Sequence, residues 1–362
     1  MKILAIETSC DETAAAVLEV NRGRFNLLSN IVSSQIKIHS KYGGIIPEVA
    51  ARKQLEVIIP VIEKSVEILP GTSIKSKLKN IDYLAVTQGP GLITSLTVGV
   101  ETAKTLSVVL NKPLIPVNHL AGHIYANYLT GYLSVNGQRL ANRIKFPVLC
   151  LVISGGHTLL VLMKDYLEYQ VVGETQDDAV GEAFDKVAKI LNLGYPGGPI
   201  ISKMASQGDS CKFNLPRPMI NQNNFNFSFS GLKTAVLYLT KELKSNSRVK
   251  QFNNETISNI CASFQQAVID VLITKTIKAA KKYNPKTILL GGGVAANLEL
   301  RRQLQEKTKK EFSNIKIFMP ELKFAGDNAA MIAAAAYFQI KHKTQLTKRK
   351  TRSLSADPNL TL

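Results

Sequence analysis

The chain contains the same three-part unit twice, and this repetition constrains its fold more than any other feature. KILAIET near the N-terminus is typical of a buried strand, SCDET of a turn of small polar residues, and AAAVLEV of a returning strand. FPVLCLVI, SGGHT and LLVLM follow the same order later in the chain. Small residues in a turn let the backbone approach a ligand such as a phosphate. We therefore expect two related lobes, each carrying one such turn.

Helical patterns between and after these hairpins indicate an α/β protein. IPEVAARKQLEVIIPVIEKSVEIL is a long amphipathic pattern with Pro47 near its start, and KTILLGGGVAANLELRRQL predicts a strand, a glycine run and a helix. Alternating strands and helices favour sheets that are covered by helices. At 362 residues, the chain is long enough for two domains.

The polar, turn-rich stretch TGYLSVNGQRLANRIK predicts a lobe boundary near residue 130. We expect an N-terminal lobe over residues 1–130 and a C-terminal lobe over residues 131–340, with the last helix packed back on the first lobe. Residues 341–362 begin with KHKTQLTKRKTR, which holds six Lys or Arg residues and no acid. Because such charge runs are usually solvated, we expect a disordered basic tail.

The charge and the cysteines restrict the partners and the compartment. The 45 Lys and Arg residues outnumber 27 Asp and Glu residues, so the formal net charge is +18. This balance fits a polyanionic partner such as nucleic acid, although it also fits a role in solubility alone. The 4 cysteines form no C-x-x-C pair, which favours a reducing compartment. With no signal-peptide pattern and no membrane-length apolar run, we expect a cytoplasmic protein without a membrane partner.

A pair of histidines is the first candidate for chemistry. In HLAGH, His119 and His123 are four residues apart and lie on one face of a predicted helix, so both rings can reach one ion. Two ligands are too few for a stable site. Asp327 and Asp11 are candidates for a third ligand, while a helix cap explains Asp327 equally well. Leu120 occupies the position where a zinc peptidase requires a glutamate as its general base. A metallopeptidase is therefore the least favoured of the functions considered.

Glycine-rich segments are the second candidate. In ILLGGGVAAN, a glycine run follows a predicted strand, so a ligand can approach the backbone closely, although a tight turn explains the run equally well. SGGHT offers backbone N–H groups at Ser154, Gly155 and Gly156. Asp185 is interpreted as one half of a surface ion pair with Lys186 or as a site residue. The alternation FNFSFSG favours a half-buried strand over a base-stacking surface.

Nine motifs together resemble the bacterial TsaD (Gcp) family of tRNA N6-adenosine threonylcarbamoyltransferases, from about Lys2 to Ile340. In chain order they are IETSCDETAAAV, YGGIIPEVAAR, GPGLITSLTVG, NHLAGHIYA, LVISGGHT, GEAFDKVAKILNLGYPGGP, FSFSGLKTA, LLGGGVAAN and AGDNAAM. The resemblance implies a two-lobed fold like that of actin, Hsp70 and sugar kinases, in which each lobe is a ribonuclease-H-like α/β unit and the site lies between them.

The resemblance also implies roles for individual residues. His119, His123 and Asp327 match the family's metal ligands, and Asp11 matches an acidic loop residue near the metal with a candidate catalytic role. The family's substrate-binding positions correspond to Val152, Ile153, Ser154, Gly155, Gly156, Asp185, Gly198 and Asn297. The chain departs from the family at Ala51-Arg52-Lys53-Gln54 and at Thr94, and we expect both departures to lie away from the metal and nucleotide positions.

The implied reaction transfers a threonylcarbamoyl group from threonylcarbamoyl-AMP to the N6 amine of the adenosine just 3′ of the anticodon, in tRNAs that read codons starting with A. One divalent ion per subunit, iron or zinc, would suit the N,N,O ligand set. The implied partners are tRNA, a paralogous TsaB-type subunit and a TsaE-type ATPase. Two alternatives remain open, which are a nucleotide-hydrolysing or sugar-kinase-like enzyme of the same fold and a non-enzymatic RNA-binding scaffold.

Overall fold

The computed structural model describes residues 1–129, 144–247, 252–342 and 353–362. The predicted boundary near residue 130 falls outside these ranges. The described elements before this boundary are β1 (Lys2–Glu7), β2 (Glu12–Asn21), β3 (Arg24–Ser34), α1 (Ile36–His39), α2 (Pro47–Val66), α3 (Ile74–Leu78), β4 (Tyr83–Gly89), α4 (Ile93–Leu110), β5 (Leu114–Asn118) and α5 (His119–Tyr125).

The described elements after it are β6 (Val148–Ile153), β7 (Thr158–Met163), β8 (Tyr169–Glu174), α6 (Val180–Ile190), α7 (Gly197–Ala205), α8 (Ser230–Ser247), α9 (Asn254–Tyr283), β9 (Thr287–Gly291), α10 (Leu298–Glu311), β10 (Lys316–Phe318) and α11 (Ala329–His342).

The two predicted hairpins begin two sheets with the same topology. The first sheet has the order β3-β2-β1-β4-β5, and the second, read from the opposite edge, has the order β8-β7-β6-β9-β10. In both, the first two strands are antiparallel and the fourth strand runs parallel to the first. Each sheet is a ribonuclease-H-like unit, so the predicted two-lobed fold of the actin, Hsp70 and sugar-kinase type is confirmed.

The first strand of each sheet is buried on both faces, as its continuous apolar sequence requires. In β6, Leu149 and Leu151 pack in one cluster with α6 and α9, whereas Val148 and Cys150 pack in another with α5 and α11. Helix α11 also contacts β1 and β2 in this second cluster. Residues 333–336, all alanine, are fully buried there, so α5 and α11 form a layer between the two sheets.

The end of the chain differs from the expected disordered tail. The Asp357 N–H donates to the Gln88 carbonyl at 2.9 Å, and the Gly91 N–H donates to the Pro358 carbonyl at 3.3 Å. Leu354 packs against the apolar cluster of the first lobe. The prediction of disorder is therefore wrong for residues 353–362, while residues 343–352, which hold most of the basic charge, lie outside the described part of the chain.

Two helices are long and apolar enough to cross a membrane by length and composition alone. In the most apolar stretch of each helix, the buried share is 39% for α4 and 78% for α9. Helix α9 is the central helix of the second lobe and packs against β6 and α7. The burial of α9 is typical of a core helix, and two such helices are weak evidence for a membrane span.

The alternating aromatic segment is part of the core. Phe225, Phe227 and Phe229 are all buried, with exposed fractions of 8%, 0% and 0%, and Phe227 forms a single bridge to Thr175. These rings are therefore not available for stacking on bases, which removes the nucleic-acid interpretation of FNFSFSG.

Candidate active site

The histidine helix begins where β5 ends. The Asn118 side chain caps α5, since its Oδ1 accepts hydrogen bonds from the N–H groups of Leu120 at 2.9 Å and Ala121 at 3.2 Å. His119 and His123 lie on the same face of this helix, with ring centroids 4.6 Å apart. Both are buried, so their ring nitrogens depend on protein groups or a ligand for partners.

Asp327 completes a three-residue group with these histidines. Its Oδ1 lies 3.2 Å from His123 Nε2 and 3.5 Å from His119 Nε2. The neighbouring residue, Asn328, is the one that caps α11, because its Oδ1 accepts the Met331 N–H at 3.0 Å. Capping therefore does not explain Asp327, and one ligand atom from each of the three residues lies within 4.8 Å of the others.

Glu7, which the sequence interpretation missed, lies behind His119. Its Oε2 is 3.3 Å from His119 Nδ1, and its Oε1 accepts the Ser9 N–H at 2.6 Å. Thr87 donates its hydroxyl to the same carboxylate. A carboxylate on one ring nitrogen fixes the ring orientation and leaves the other nitrogen for a metal. The sequence signal for Glu7 was an acid at the end of an otherwise apolar predicted strand, ILAIE, at residues 3–7.

The electrostatics of the group follow from its burial. Burial works to lower the pKa of His119, but Glu7 and Asp327 raise it to about 9. Burial lowers the pKa of His123. Although burial opposes it, His119 and His123 lower the pKa of Asp327 to about 2. His157 lies close enough for His119 to act on it, and burial together with both histidines lowers its pKa to about 4.

These residues fit a divalent cation. Among the described residues, Nδ1 of His123 has no hydrogen-bond partner, and its Nε2 meets only the Asp327 carboxylate, 3.2 Å away. A buried nitrogen of this kind is costly unless a ligand satisfies it. Two imidazoles and one carboxylate are a donor set that suits zinc or iron and leaves positions for a substrate. The group can therefore hold a metal ion.

Asp11 lies in the turn between β1 and β2 and is 7% exposed. Burial and the charge of Asp11 raise the pKa of Glu12 to about 10. The buried Gln54 supports this turn, since its Nε2 donates to the carbonyls of Cys10 at 2.9 Å and Glu12 at 3.1 Å. Gln54 is one of the departures from the family pattern, and it contacts the Asp11 turn instead of lying apart from the candidate site residues.

A cavity of about 820 Å³ lies in the second lobe beside the SGGHT turn. Four of the predicted substrate-binding residues line it, namely Gly155, Asp185, Gly198 and Asn297. Val152 and Ile153 do not, because their side chains are fully buried within β6. The Ser154 N–H donates to the His157 carbonyl at 2.8 Å, which leaves Gly155 and Gly156 as the candidate backbone donors of this turn.

Glycines around the cavity fall into two groups. A Cβ added at Gly155, Gly198 or Gly293 would meet no atom within 4 Å, so these positions face open space. Gly292 has φ +90°, and a Cβ there would lie 2.2 Å from the Ile153 carbonyl oxygen. Gly292 is therefore required by the protein's own packing, whereas the other three leave room for a ligand.

The two predicted polar residues of the cavity are tied to helix starts. Asp185 Oδ1 accepts the Gly197 N–H at 2.7 Å at the beginning of α7, and its expected partner Lys186 pairs with Asp178 instead. Burial raises the pKa of Asp185. Asn297 Oδ1 caps α10 by accepting the Leu300 N–H at 2.9 Å.

The amide nitrogen of Asn297 is also engaged. It donates to Ser202 Oγ at 2.9 Å and to Gln265 Oε1 at 2.7 Å. Asn297 therefore joins α7, α9 and α10 at the cavity wall, and its capping role is observed directly.

Comparisons with known proteins identify the family. The model of the TsaD family, tRNA N6-adenosine threonylcarbamoyltransferase, matches residues 26–334. A tRNA N6-adenosine threonylcarbamoyltransferase from Thermosipho africanus is 48% identical over 360 residues, covering 99% of both chains. One of the same name from Listeria welshimeri is 45% identical and covers 99% of this chain and 96% of its own length.

Among solved structures, HypF from T. kodakarensis aligns over 98% of this chain with a TM-score of 0.56, and the aligned region is 49% of that longer protein. At 14% sequence identity, this similarity concerns the fold alone. The family model covers more than half of the chain, and both relatives cover nearly all of it. The chain therefore belongs to the TsaD family of tRNA N6-adenosine threonylcarbamoyltransferases.

Proposed function

We propose that this protein transfers a threonylcarbamoyl group from threonylcarbamoyl-AMP to the N6 amine of the adenosine 3′ of the anticodon, forming t6A in tRNAs that read codons starting with A. The observation that carries the proposal is the His119, His123 and Asp327 group, in a chain of this family that also has a cavity of nucleotide size in its second lobe. The SGGHT turn relates the two, because Gly155 lines the cavity and His157 feels the charge of His119. The histidines come from α5, and the aspartate lies two residues before α11, so the site depends on the packing of both helices.

The cavity suits the AMP half of the donor. Its volume of about 820 Å³ lies within the range of small-molecule sites, and its glycines leave space against the backbone. Gly155 and Gly156 supply N–H groups for a phosphate. The apolar residues Pro199, Val294 and Leu298 offer surfaces for a base. Asp185 and Asn297 hold the beginnings of α7 and α10 in place around the ligand.

His119, His123 and Asp327 hold one divalent ion, iron or zinc, in this proposal. When bound there, the ion would supply Lewis-acid activation of the donor's carbamoyl carbonyl. Glu7 keeps the His119 ring oriented with Nε2 towards Asp327. The buried walls of the group exclude water from the reactive anhydride, which favours transfer over hydrolysis.

The transfer forms a bond between the adenosine N6 and the carbamoyl carbon and breaks the bond from that carbon to the phosphate oxygen. AMP leaves with the electron pair, and N6 loses one proton. Asp11 is the candidate acceptor of this proton, because Cys10 feels the charges of both Asp11 and Asp327, and Asp185 in the cavity wall also feels the charge of Asp11. Gln54 holds the turn by donating to the carbonyls on both sides of Asp11.

The partners follow from the family and from one exposed surface. Helices α2 and α4 pack together and expose Leu55, Ile59, Val108 and Val109, which are between 51% and 69% accessible. Exposed apolar side chains grouped on two helices are typical of a protein interface. We assign this surface to a paralogous TsaB-type subunit, with a TsaE-type ATPase as a further partner. The +18 charge suits tRNA, and the proposed location is the cytoplasm.

Nucleoside analysis of tRNA tests the proposal. The purified protein with its TsaB- and TsaE-type partners is incubated with threonylcarbamoyl-AMP and an unmodified tRNA that reads a codon starting with A. We expect t6A in this tRNA and none in the same tRNA with guanosine at the acceptor position. Turnover of ATP by this protein alone, with no t6A formed in the full mixture, would favour the kinase-like alternative. Binding of tRNA without either activity would favour an RNA-binding scaffold.

A further inference from the structure

The last ten residues of the chain, 353–362, form a segment that we call the C-terminal strap. It crosses the ends of β4 and β5 and is held there by backbone hydrogen bonds to Gln88 at 2.9 Å and Gly91 at 3.3 Å. Gln88 Nε2 also donates to the Ser355 carbonyl at 3.2 Å. The strap therefore pairs through its backbone with the end of β4 and with the loop that follows, instead of resting there through side chains alone.

The surface beneath the strap is shaped to accept it. A Cβ at Gly89 would lie 1.7 Å from the Asp357 carbonyl oxygen, so only glycine permits this approach. Leu354 and Ala356 pack against the apolar cluster of the first lobe, and Leu362 packs against the cluster that contains α5 and α11. Both ends of the strap are therefore anchored in the core.

One side chain joins the strap to the histidine helix. Asn118 Nδ2 donates to the Thr361 carbonyl at 3.0 Å and lies 3.4 Å from the Leu360 carbonyl. The same amide presents its Oδ1 to the first N–H groups of α5. Because one planar group makes both sets of contacts, the strap fixes the orientation in which Asn118 can cap the helix.

This cap matters because α5 is short and carries two metal-binding candidates. The helix spans His119–Tyr125, and His119 directly follows Asn118. A helix of this length has unpaired N–H groups over most of its first turn, so its position depends strongly on its cap. A shift at Asn118 would move the His119 ring relative to Glu7 and Asp327, to which it lies within 3.5 Å.

We infer that Asn118 is a positioning residue for the metal site and that the C-terminal strap holds it in place. This inference rests on the proposed function, in which His119, His123 and Asp327 bind a metal ion. Loss of the strap frees the Asn118 amide, loosens the cap and weakens metal binding. Changes to groups that orient a metal ligand typically reduce affinity by 10- to 100-fold, and we expect about tenfold here.

Two variants test the strap as a whole and its hydrogen bond to Asn118 separately. The first ends at Arg352 and lacks the strap. The second is Asn118→Asp, which keeps an oxygen to cap α5 but replaces the donor to the strap carbonyls with a second oxygen. Asn253→Asp is the matched control, because Asn253 is also an N-cap: it accepts the Thr256 N–H at 2.8 Å at the start of α9, in the second lobe.

The experiment titrates each metal-free protein with Co(II) and records the visible absorption of the bound ion. We expect both strap variants to bind Co(II) about tenfold more weakly and with an altered spectrum, while Asn253→Asp matches the wild type. A synthetic peptide of residues 353–362 should restore part of the affinity of the truncated protein. If truncation prevents folding, Asn118→Asp alone decides the result.

Two outcomes overturn the inference, and they are distinguishable. If the wild type binds Co(II) and Asn118→Asp binds it with the same affinity and spectrum, the strap has no influence on the site. If the wild type itself binds no Co(II), the metal assignment fails, and the inference fails with it.

Discussion

Glu7 Oε2 and His119 Nδ1 lie 3.3 Å apart in a buried contact that joins the end of β1 to the start of α5. The two residues are 112 positions apart in the chain. The contact explains how His119 can present Nε2 to Asp327 while its other nitrogen remains satisfied. Glu7 thus orients a proposed metal ligand, while the same carboxylate also accepts hydrogen bonds from Ser9 and Thr87.

Glu7→Gln should therefore weaken metal binding without unfolding the protein. The amide keeps the size of the side chain but removes the charge that orients the imidazole, so we expect a 10- to 100-fold loss of affinity. Titration with Co(II) or Zn(II) measures the effect. Glu19→Gln, on the surface of the same lobe beside Lys2, is the control and should leave the affinity unchanged.

A second prediction distinguishes the glycines that bind a ligand from those that allow the fold. Gly198→Ala places its methyl group in open space, so we expect stability within about 0.5 kcal/mol of the wild type and clearly weaker AMP binding. Gly292→Ala meets the Ile153 carbonyl at φ +90° and should destabilise the protein. Calorimetry with AMP and thermal unfolding test both variants. Unchanged AMP affinity in Gly198→Ala would remove Gly198 from the site.

The fold was largely predictable because its signals are local. In the first strand of each hairpin, successive apolar side chains point alternately into two apolar clusters, and small turn residues mark the end of the strand. The duplicated unit could therefore be predicted from KILAIET and FPVLCLVI. The convergence of His119, His123 and Asp327 followed from family motifs, because no local pattern relates a helix near residue 120 to a loop near residue 327.

Other features were not predictable for physical reasons. The Asp185 contact to Gly197 and the engaged amide of Asn297 depend on how separate helices meet at the cavity. The strap has no regular spacing of apolar residues that a sequence could reveal. It is held mainly by backbone hydrogen bonds, which leave no pattern in the sequence. A basic run beside it therefore suggested disorder for the whole tail.

Asp178 should make the second lobe sensitive to acid. It accepts hydrogen bonds from Lys186 and Lys233, each at 2.8 Å, and its side chain is 13% exposed. Burial alone would raise its pKa, but the two ammonium groups lower the pKa below its ordinary value. A carboxyl group with a lowered folded pKa stabilises the protein above its unfolded pKa of about 3.9, and this contribution is lost as the pH falls through the folded pKa.

Asp178→Asn is therefore expected to cost on the order of 1–2 kcal/mol at pH 7, or a few degrees of thermal midpoint, and less at pH 3. Thermal unfolding of both proteins at the two pH values measures the difference. Glu56→Gln breaks an exposed ion pair with Lys53 and should have little effect at either pH. An equal loss at pH 7 and pH 3 would contradict the assigned charge interaction.

The basic segment before the strap should contribute to tRNA affinity. Replacing Lys348, Arg349 and Lys350 with Gln removes three positive charges but keeps the strap. Each lost phosphate contact should reduce the slope of log affinity against log salt by somewhat less than one unit. Filter binding of tRNA at several salt concentrations measures the slope. Deletion of residues 341–362 is a poorer test, because it also removes the contact to Asn118.

The central claim is that His119, His123 and Asp327 together hold one metal ion that the transfer reaction requires. The most direct test measures metal content and t6A formation side by side for the wild type, His119→Ala, His123→Ala and Asp327→Asn. Asp327→Asn is the sharpest variant, since it keeps the size of the side chain and removes only its charge. We predict that each variant folds, loses stoichiometric metal and forms no t6A. Retention of stoichiometric metal by all three, or full transfer by a metal-free wild type, would contradict the account.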